Sequence, residues 1–331
     1  MNYKILFVTK GGHAQGMGDI VGSLNLANSL NDLNNEISFI IEKNRESRHA
    51  ISLLYNYLYE YETKEDFFNH DLFNNYFDII IVNQLNTNED YLRFLKNKCN
   101  WLVTVDDQGE ACQLANARFN PLYKTPNCYY GAKYIPLAKI FQEYHQKEKN
   151  IEVLDYVLVT MGGSDTYGYT PQIISLLNEI SFSRKLHIVL GPSFSHHKEL
   201  EKVMEENKLN IQFHNNVNAN QMADLIHNAL FSICPGGLTS FEMACLGTPC
   251  ILICGEPFEK ETAEYLESFR TCINLKFDYQ VDSEIFFQAI KTFENYETLK
   301  VYADNGKKLV DGLGSETIMK TIISDYKKQS F

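Results

Sequence analysis

Residues 229–262 read ALFSICPGGLTSFEMACLGTPCILICGEPFEKET, and they constrain the fold more than any other stretch. The apolar run 229–234 ends at Pro235-Gly236-Gly237. A helical pattern follows, with Phe241, Ala244, Cys245 and Leu246 on its apolar side. Gly247-Thr248-Pro249 stops that helix, and Cys250–Cys254 is the next apolar run. Strand, glycine turn, helix, strand is the βαβ unit of a parallel sheet. Paired glycines allow close backbone approach, and the first unpaired N–H groups of a helix attract anions. Thr239 and Ser240 add hydroxyls there, as caps or as phosphate ligands. Glu242, read as a first-turn residue, either complements the helix dipole or hydrogen-bonds a vicinal diol such as a ribose. A capped core helix would carry the same letters.

Length then bounds the rest. At 331 residues the chain exceeds one ordinary core, and two domains are expected. Hydrophobic content of 44% with 22% charged residues fits a soluble globular protein. The net charge of −12 argues against a nucleic-acid partner, which calls for a basic face. No apolar run approaches the ~20 residues that span a bilayer, and no secretory leader pattern is visible. Peripheral membrane contact stays open, with nothing to indicate it. The eight cysteines form no CxxC pair, and the nine histidines show neither HExxH nor zinc spacing. Neither a metal site nor a cofactor is expected, and reduced thiols suit a cytoplasmic setting.

In chain order, Lys4–Thr9 is the first strand and KGGHAQGMG (10–18) a long glycine loop. A helix follows from Asp19 to about Leu30, with Ile20, Leu24, Ala27 and Leu30 on one face. Residues 37–41, 78–82 and 101–105 read as further strands, the last two ending in Asn83-Gln84 and Asp106-Asp107. Residues 47–75 look helical. Residues 115–150 hold no clear βαβ unit, and the polar FQEYHQKEKNIE reads as an inter-domain linker. A second series begins at Tyr156–Thr160, passes through Met161-Gly162-Gly163-Ser164-Asp165 into a helix near 171–179, and continues as strand 186–190, helix 198–207, strand 211–214 and helix 220–228. Residues 284–304 and 315–327 look helical. Polar residues at strand carboxyl ends mark a doubly wound α/β domain with its ligand cleft there.

Gly16-Met17-Gly18 with Gly22, and Glu42 closing the second strand, suggest a dinucleotide fingerprint. Gly16 follows Thr9 by seven residues, too far for its tight turn. The loop 157–171 (VLVTMGGSDTYGYTP) repeats the design of the opening stretch. Two such loops on neighbouring strand ends can enclose a diphosphate, although Asp165 could equally cap the following turn.

With these residues placed, the chain resembles the GT-B superfamily, and within it the pseudaminic-acid-pathway UDP-sugar hydrolases and related spore-coat-polysaccharide predicted glycosyltransferases. The resemblance runs over most of the chain. It rests on GGHAQGMGD, Val105-Asp106-Asp107, Asn120-Pro121-Leu122-Tyr123, Tyr130-Gly131, LVTMGGSD, GGLTSFEMACLGTP and Asp311-Gly312-Leu313-Gly314-Ser315. It implies an α/β fold of two Rossmann-like domains facing across a cleft: 1–145 for acceptor and catalysis, 152–314 for the nucleotide sugar, and a helix 315–331 that can pack back on the first domain. It also implies a UDP- or CMP-linked sugar as substrate and a glycan or other acceptor as partner. Glu242 would hold the ribose. Gly236, Gly237, Thr239 and Ser240 would hold the diphosphate with Gly162, Gly163 and Ser164, and the base would lie near Asn216-Val217. To this nucleotide set we add Asp165 and Leu238, and to the sugar and acceptor side Gly18, Asn83, Tyr130 and Glu259. The hydrolases carry a histidine as base where this chain has Asp19, and commonly Asp-His where it has Asn83-Gln84. The expectation is therefore a glycosyltransferase of surface polysaccharide or glycoprotein glycan synthesis, with a UDP-sugar hydrolase as the alternative. Asp19 is the candidate base, although it could instead cap its helix; His13 and Asp107 are the other candidates.

Overall fold

A computed structural model describes residues 2–12, 16–30, 35–277 and 280–329. Contacts divide the chain into two units: Met1–Lys139 with Leu313–Phe331, and Ile140–Gly312. His13, a candidate base, lies outside the described residues.

The first unit runs β1 (Lys4–Thr9), α1 (Gly18–Asn28), β2 (Glu36–Glu42), α2 (Arg45–Ser52), β3 (Leu58–Tyr61), α3 (Lys64–Phe68), β4 (Phe77–Asn83), α4 (Glu89–Lys96), β5 (Cys99–Val105), β6 (Ala117–Asn120) and β7 (Tyr129–Tyr130). Its seven strands lie in the order β3-β2-β1-β4-β5-β6-β7, all parallel. The central strands are near-continuous apolar runs because helices cover both faces. Phe7, Phe39, Ile79 and Val103 pack on one side, and Leu6, Ile40, Ile80 and Leu102 on the other. Within 47–75 the expectation of helix holds in part: α2 runs to Ser52 and short helical turns return from Lys64, but a strand lies between them. Leu58–Tyr61 extends the sheet as an edge strand beside β2, and α3 is a single short helix opened by the capping box of Thr63 and Asp66.

The second unit holds α5 (Lys139–His145, which begins at its border), β8 (Tyr156–Thr160), α6 (Tyr169–Glu179), β9 (Lys185–Leu190), α7 (His197–Glu205), β10 (Ile211–Asn215), α8 (Ala219–His227), β11 (Phe231–Cys234), α9 (Leu238–Cys245), β12 (Cys250–Cys254), α10 (Glu259–Ser268), β13 (Cys272–Phe277), α11 (Ser283–Phe293) and α12 (Tyr296–Leu309). The stretch read as a linker is thus helical in its first half. Phe141 is buried, and His145 Nδ1 lies 2.8 Å from the Cys245 carbonyl. The helical stretch 284–304 is two helices, the second capped by Asn295, whose side chain accepts from Thr298 N. Six parallel strands run β10-β9-β8-β11-β12-β13.

Both sheets share one connectivity. The chain winds outward from the first strand on one side, then returns to build the other. The order reverses between β1 and β4 in the first unit and between β8 and β11 in the second. Loops leaving the carboxyl ends at such a reversal diverge and open a crevice. The final helix, α13 (Gly314–Gln329), belongs to the first unit, with Ile318, Met319 and Ile322 buried in its core. Ser315 Oγ donates to the Leu137 carbonyl at 2.7 Å, and the Tyr326 hydroxyl donates to Asp78 Oδ1 at 3.1 Å.

Candidate functional site

In the second unit, four loops at strand carboxyl ends touch one another. Gly162 turns at φ +73°, and a β-carbon there would sit 3.7 Å from Pro235. The turn after β9 lies under this loop. A β-carbon at Gly191 would collide with the Gly162 and Gly163 carbonyl oxygens, and Ser193 N donates to Gly163 O at 2.9 Å. Gly255, after β12, packs on the rings of Tyr167 and Tyr169. The supporting roles of Gly191 and Gly255 were missed in the sequence, where a glycine closing an apolar run was the available signal.

The start of α9 carries no side-chain cap. Its first N–H groups, those of Leu238 and Thr239 among them, therefore face outward without an intrahelical partner. Ser240 is fully buried, and its hydroxyl donates back to the Gly237 carbonyl at 2.6 Å. The two glycines also differ. A β-carbon at Gly236 would lie 2.6 Å from the Glu259 carbonyl oxygen, so that residue is a packing requirement. At Gly237 the nearest atom would be Glu259 Oε1 at 3.8 Å, with φ at −99°. Gly237→Ala is therefore expected to keep the melting temperature while weakening a nucleoside diphosphate more than the bare nucleoside. Gly236→Ala should destabilise the fold by about 1 kcal/mol or more in urea unfolding. Equal losses of both ligands in Gly237→Ala would mean that no phosphate approaches it.

Glu242 is the fifth residue of α9, just past the first turn in which it was expected. Burial alone pushes its carboxyl up to about 7. Glu259 opens α10, and its Oε2 accepts from Gly255 N at 2.9 Å and Glu256 N at 3.2 Å. Burial pushes this carboxyl up to about 7 as well, against those two donors. Asp165 takes the capping role that its sequence also allowed. Its two oxygens accept from Tyr169 N (2.7 Å) and Thr170 N (2.9 Å), capping α6 from a buried position. Ser164 Oγ lies 3.1 Å from Thr166 Oγ1. Asn216, at φ +54°, and Val217 follow β10, two strands out from β8.

A carboxyl raised by burial costs stability as it ionises. The folded state holds a proton that the unfolded chain releases, so the cost is absent below the unfolded value near 4.5 and grows as pH rises to about 7. Glu242→Gln should therefore raise the melting temperature of the ligand-free protein more at pH 8 than at pH 5. Equal shifts at both pH values would refute the buried carboxyl.

In the first unit, Asp19 is the second residue of α1, inside the helix, and the N-cap position is held by Met17. Burial pushes its carboxyl up to about 7, and Lys10 draws it part of the way back. Asn83 is buried at the end of β4. Its Nδ2 donates to the Asp19 carbonyl at 2.9 Å and to Ser23 Oγ at 3.1 Å, fixing the first turn of α1. Asp107, the other candidate base, ties its own loop. It is buried and accepts from Thr87 N (3.1 Å), Gly109 N (2.9 Å) and the Thr87 hydroxyl. Gly18 is exposed at the start of α1, and Tyr130 is half-buried on β7. Among the described residues no group of three His, Cys, Asp or Glu is placed to share a metal ion, and no helix is long and apolar enough to cross a membrane.

No protein-family model matches the chain. It is similar to an uncharacterized protein, MJ1062, of Methanocaldococcus jannaschii, 24% identical over 93% of this chain and 69% of that protein. It is also similar to the spore coat polysaccharide biosynthesis protein SpsG of Bacillus subtilis, 21% identical over 92% of this chain and 93% of the relative. Among solved structures, MurG of Acinetobacter baumannii superposes with a TM-score of 0.69 at 11% identity, covering 97% of this chain and 99% of the other. The spinosyn rhamnosyltransferase SpnG gives 0.65 at 12% identity, covering 97% and 100%. The UDP-GlcNAc 2-epimerase of Neisseria meningitidis, bound to UDP-GlcNAc, gives 0.61 at 12%, also covering 97% and 100%.

Proposed function

This chain has the GT-B fold, and on that premise we propose that it is a glycosyltransferase that takes a sugar from a nucleotide-sugar donor and passes it to a glycan or other acceptor. The observation that carries the reading is the uncapped start of α9 with the Glu242 carboxyl one turn further in. Free N–H groups suit a diphosphate, and a partly dehydrated carboxyl suits a ribose diol. The similarity to SpsG over nearly the whole length of both chains supports a role in polysaccharide synthesis.

In this mechanism Asp19, as carboxylate, accepts the proton of the acceptor hydroxyl while that oxygen attacks the anomeric carbon. The bond from that carbon to the diphosphate oxygen breaks, and the leaving nucleotide keeps the electron pair. Its charge is met by the N–H groups at the start of α9 and by the Gly162-Gly163 loop. Asn83 holds the turn on which Asp19 sits.

The deciding experiment incubates purified protein with UDP- and CMP-sugars and follows nucleotide release. Release that depends on an added acceptor supports the transferase. Equal release into water identifies a UDP-sugar hydrolase, which the free Asp19 carboxyl would also serve. Conversion of the sugar without any release would mean an epimerase.

A further inference from the structure

Glu259 lies against the start of α9, where the diphosphate is proposed to sit. A β-carbon at Gly236 would meet the Glu259 carbonyl oxygen at 2.6 Å and the Glu259 β-carbon at 3.0 Å; at Gly237 the nearest atom would be Oε1, at 3.8 Å. The side chain thus runs along both glycines. It is 9% exposed, and its Oε2 is spent on Gly255 N and Glu256 N. Oε1 differs. Among the described residues it has no hydrogen-bond or ion-pair partner. It nevertheless keeps accessible surface, unlike sealed unpaired atoms such as Thr9 Oγ1.

A phosphate drawn to the N–H groups of α9 therefore meets a carboxyl oxygen as well as amides. Phosphate oxygens and an ionised carboxylate are both acceptors, so across a short gap they repel. One proton on Glu259 reverses the sign. Oε1–H becomes a donor, and its bond to a phosphate oxygen is charge-assisted. The two amides on Oε2 are compatible with the acid, because its carbonyl oxygen can accept both.

We infer that Glu259 gates the phosphate site by protonation: the nucleotide binds with Glu259 as the neutral acid, Oε1–H donating to a phosphate oxygen. Each nucleotide bound to the ionised form takes up one proton from water and returns it on leaving, with no covalent bond to carbon or phosphorus made or broken. This gate rests on the nucleotide-sugar reading above and adds a control to the same site. The surroundings favour the acid. Burial pushes the carboxyl up to about 7 against the two amide donors, and the Glu256 charge adds to it. The other titratable groups facing it are the Cys254 thiol of β12, which donates to the Glu259 carbonyl at 3.6 Å, and the Tyr169 phenol of α6; burial pushes both up and keeps them neutral. Lys260 pairs with Glu264 at 3.9 Å instead. Glu242 is raised by burial alone and does not act on Glu259.

The test measures the affinity of the full-length protein for UDP, CDP and uridine by calorimetry at pH 7 and pH 8.5, where the last phosphate proton, leaving at about pH 6, is already gone. UDP affinity should fall roughly tenfold or more between the two, as for a carboxyl at about 7 that must be protonated to bind. Uridine, without a phosphate, should show no such fall. At pH 8, buffers of different ionisation enthalpy should reveal uptake of about one proton per UDP. Glu259→Gln keeps an oxygen for both amides and gives the phosphate a permanent N–H donor. It should fold, bind UDP at pH 8.5 more tightly than the wild type does, and lose both the fall and the uptake. No fall in the wild type, or a fall retained in Glu259→Gln, would overturn the gate and leave nucleotide binding standing. UDP affinity abolished by EDTA would overturn it too, since a cation rather than a proton would then separate the two anions. Failure of both UDP and CDP to bind at either pH would overturn the gate together with the nucleotide reading.

Discussion

Asp19→Asn is expected to lower sugar transfer by at least about 100-fold, within the 10²–10⁴-fold range of a positioned acid or base. Nucleotide affinity should hold, because the loops proposed for the donor belong to the other unit. The fold should hold as well. Asp19 lies past the cap position, which Met17 holds, and Asn83 anchors its carbonyl, which the substitution leaves in place. The carboxyl is pushed up to about 7 by burial, so wild-type turnover should rise with pH through about 7 and then level off. In Asp19→Asn that rise should vanish. Asp19→His separates the two reactions: histidine should sustain or increase release into water in a hydrolase, but leave transfer impaired in a transferase. Full activity of Asp19→Asn, measured by nucleotide release with acceptor, would end the base assignment.

Glu242→Ala should weaken nucleotide binding by roughly ten- to a hundredfold, corresponding to ~1.5–3 kcal/mol for a hydrogen bond to a charged group. The side chain is half-buried with burial as the sole cause of its raised carboxyl, so removing it relieves a cost and should not unfold the protein. Calorimetry with UDP, CMP and their deoxyribose counterparts reads the effect. The variant should lose its preference for ribose over deoxyribose. Unchanged affinity in a folded variant would remove Glu242 from the site.

The βαβ unit around Gly236-Gly237 was legible because every letter agreed: apolar runs of strand length, a glycine turn and a helical apolar face. The same consistency exposed both sheets. Leu58–Tyr61 escaped because LYEY is short and half-polar, and only its pairing with β2 makes it a strand. α5 escaped because only Phe141 of its residues is buried, so a polar surface helix read as a linker. The site was legible at the level of loops and less so at the level of side chains. Asp165 and Asp107 follow strand ends, where a ligand-binding carboxylate and a loop-tying one look alike in sequence. In both, backbone donors at 2.7–3.1 Å show the loop-tying bonds. Asp19 goes the other way: α1 starts at Gly18 with Met17 at its N-cap, so Asp19 does not occupy the cap position that offered a bland explanation.

The return of α13 to the first unit has a consequence for synthesis. The ribosome emits residues 1–139, then the whole of 140–312, and only then the helix whose Ile318, Met319 and Ile322 complete the first core. The second unit is contiguous and can close while still tethered, as domains generally do during translation. The first must wait with part of its apolar surface bare until the last segment clears the exit tunnel. Of the two units, the one begun earlier is therefore the one completed later, and chaperones would meet it in that interval.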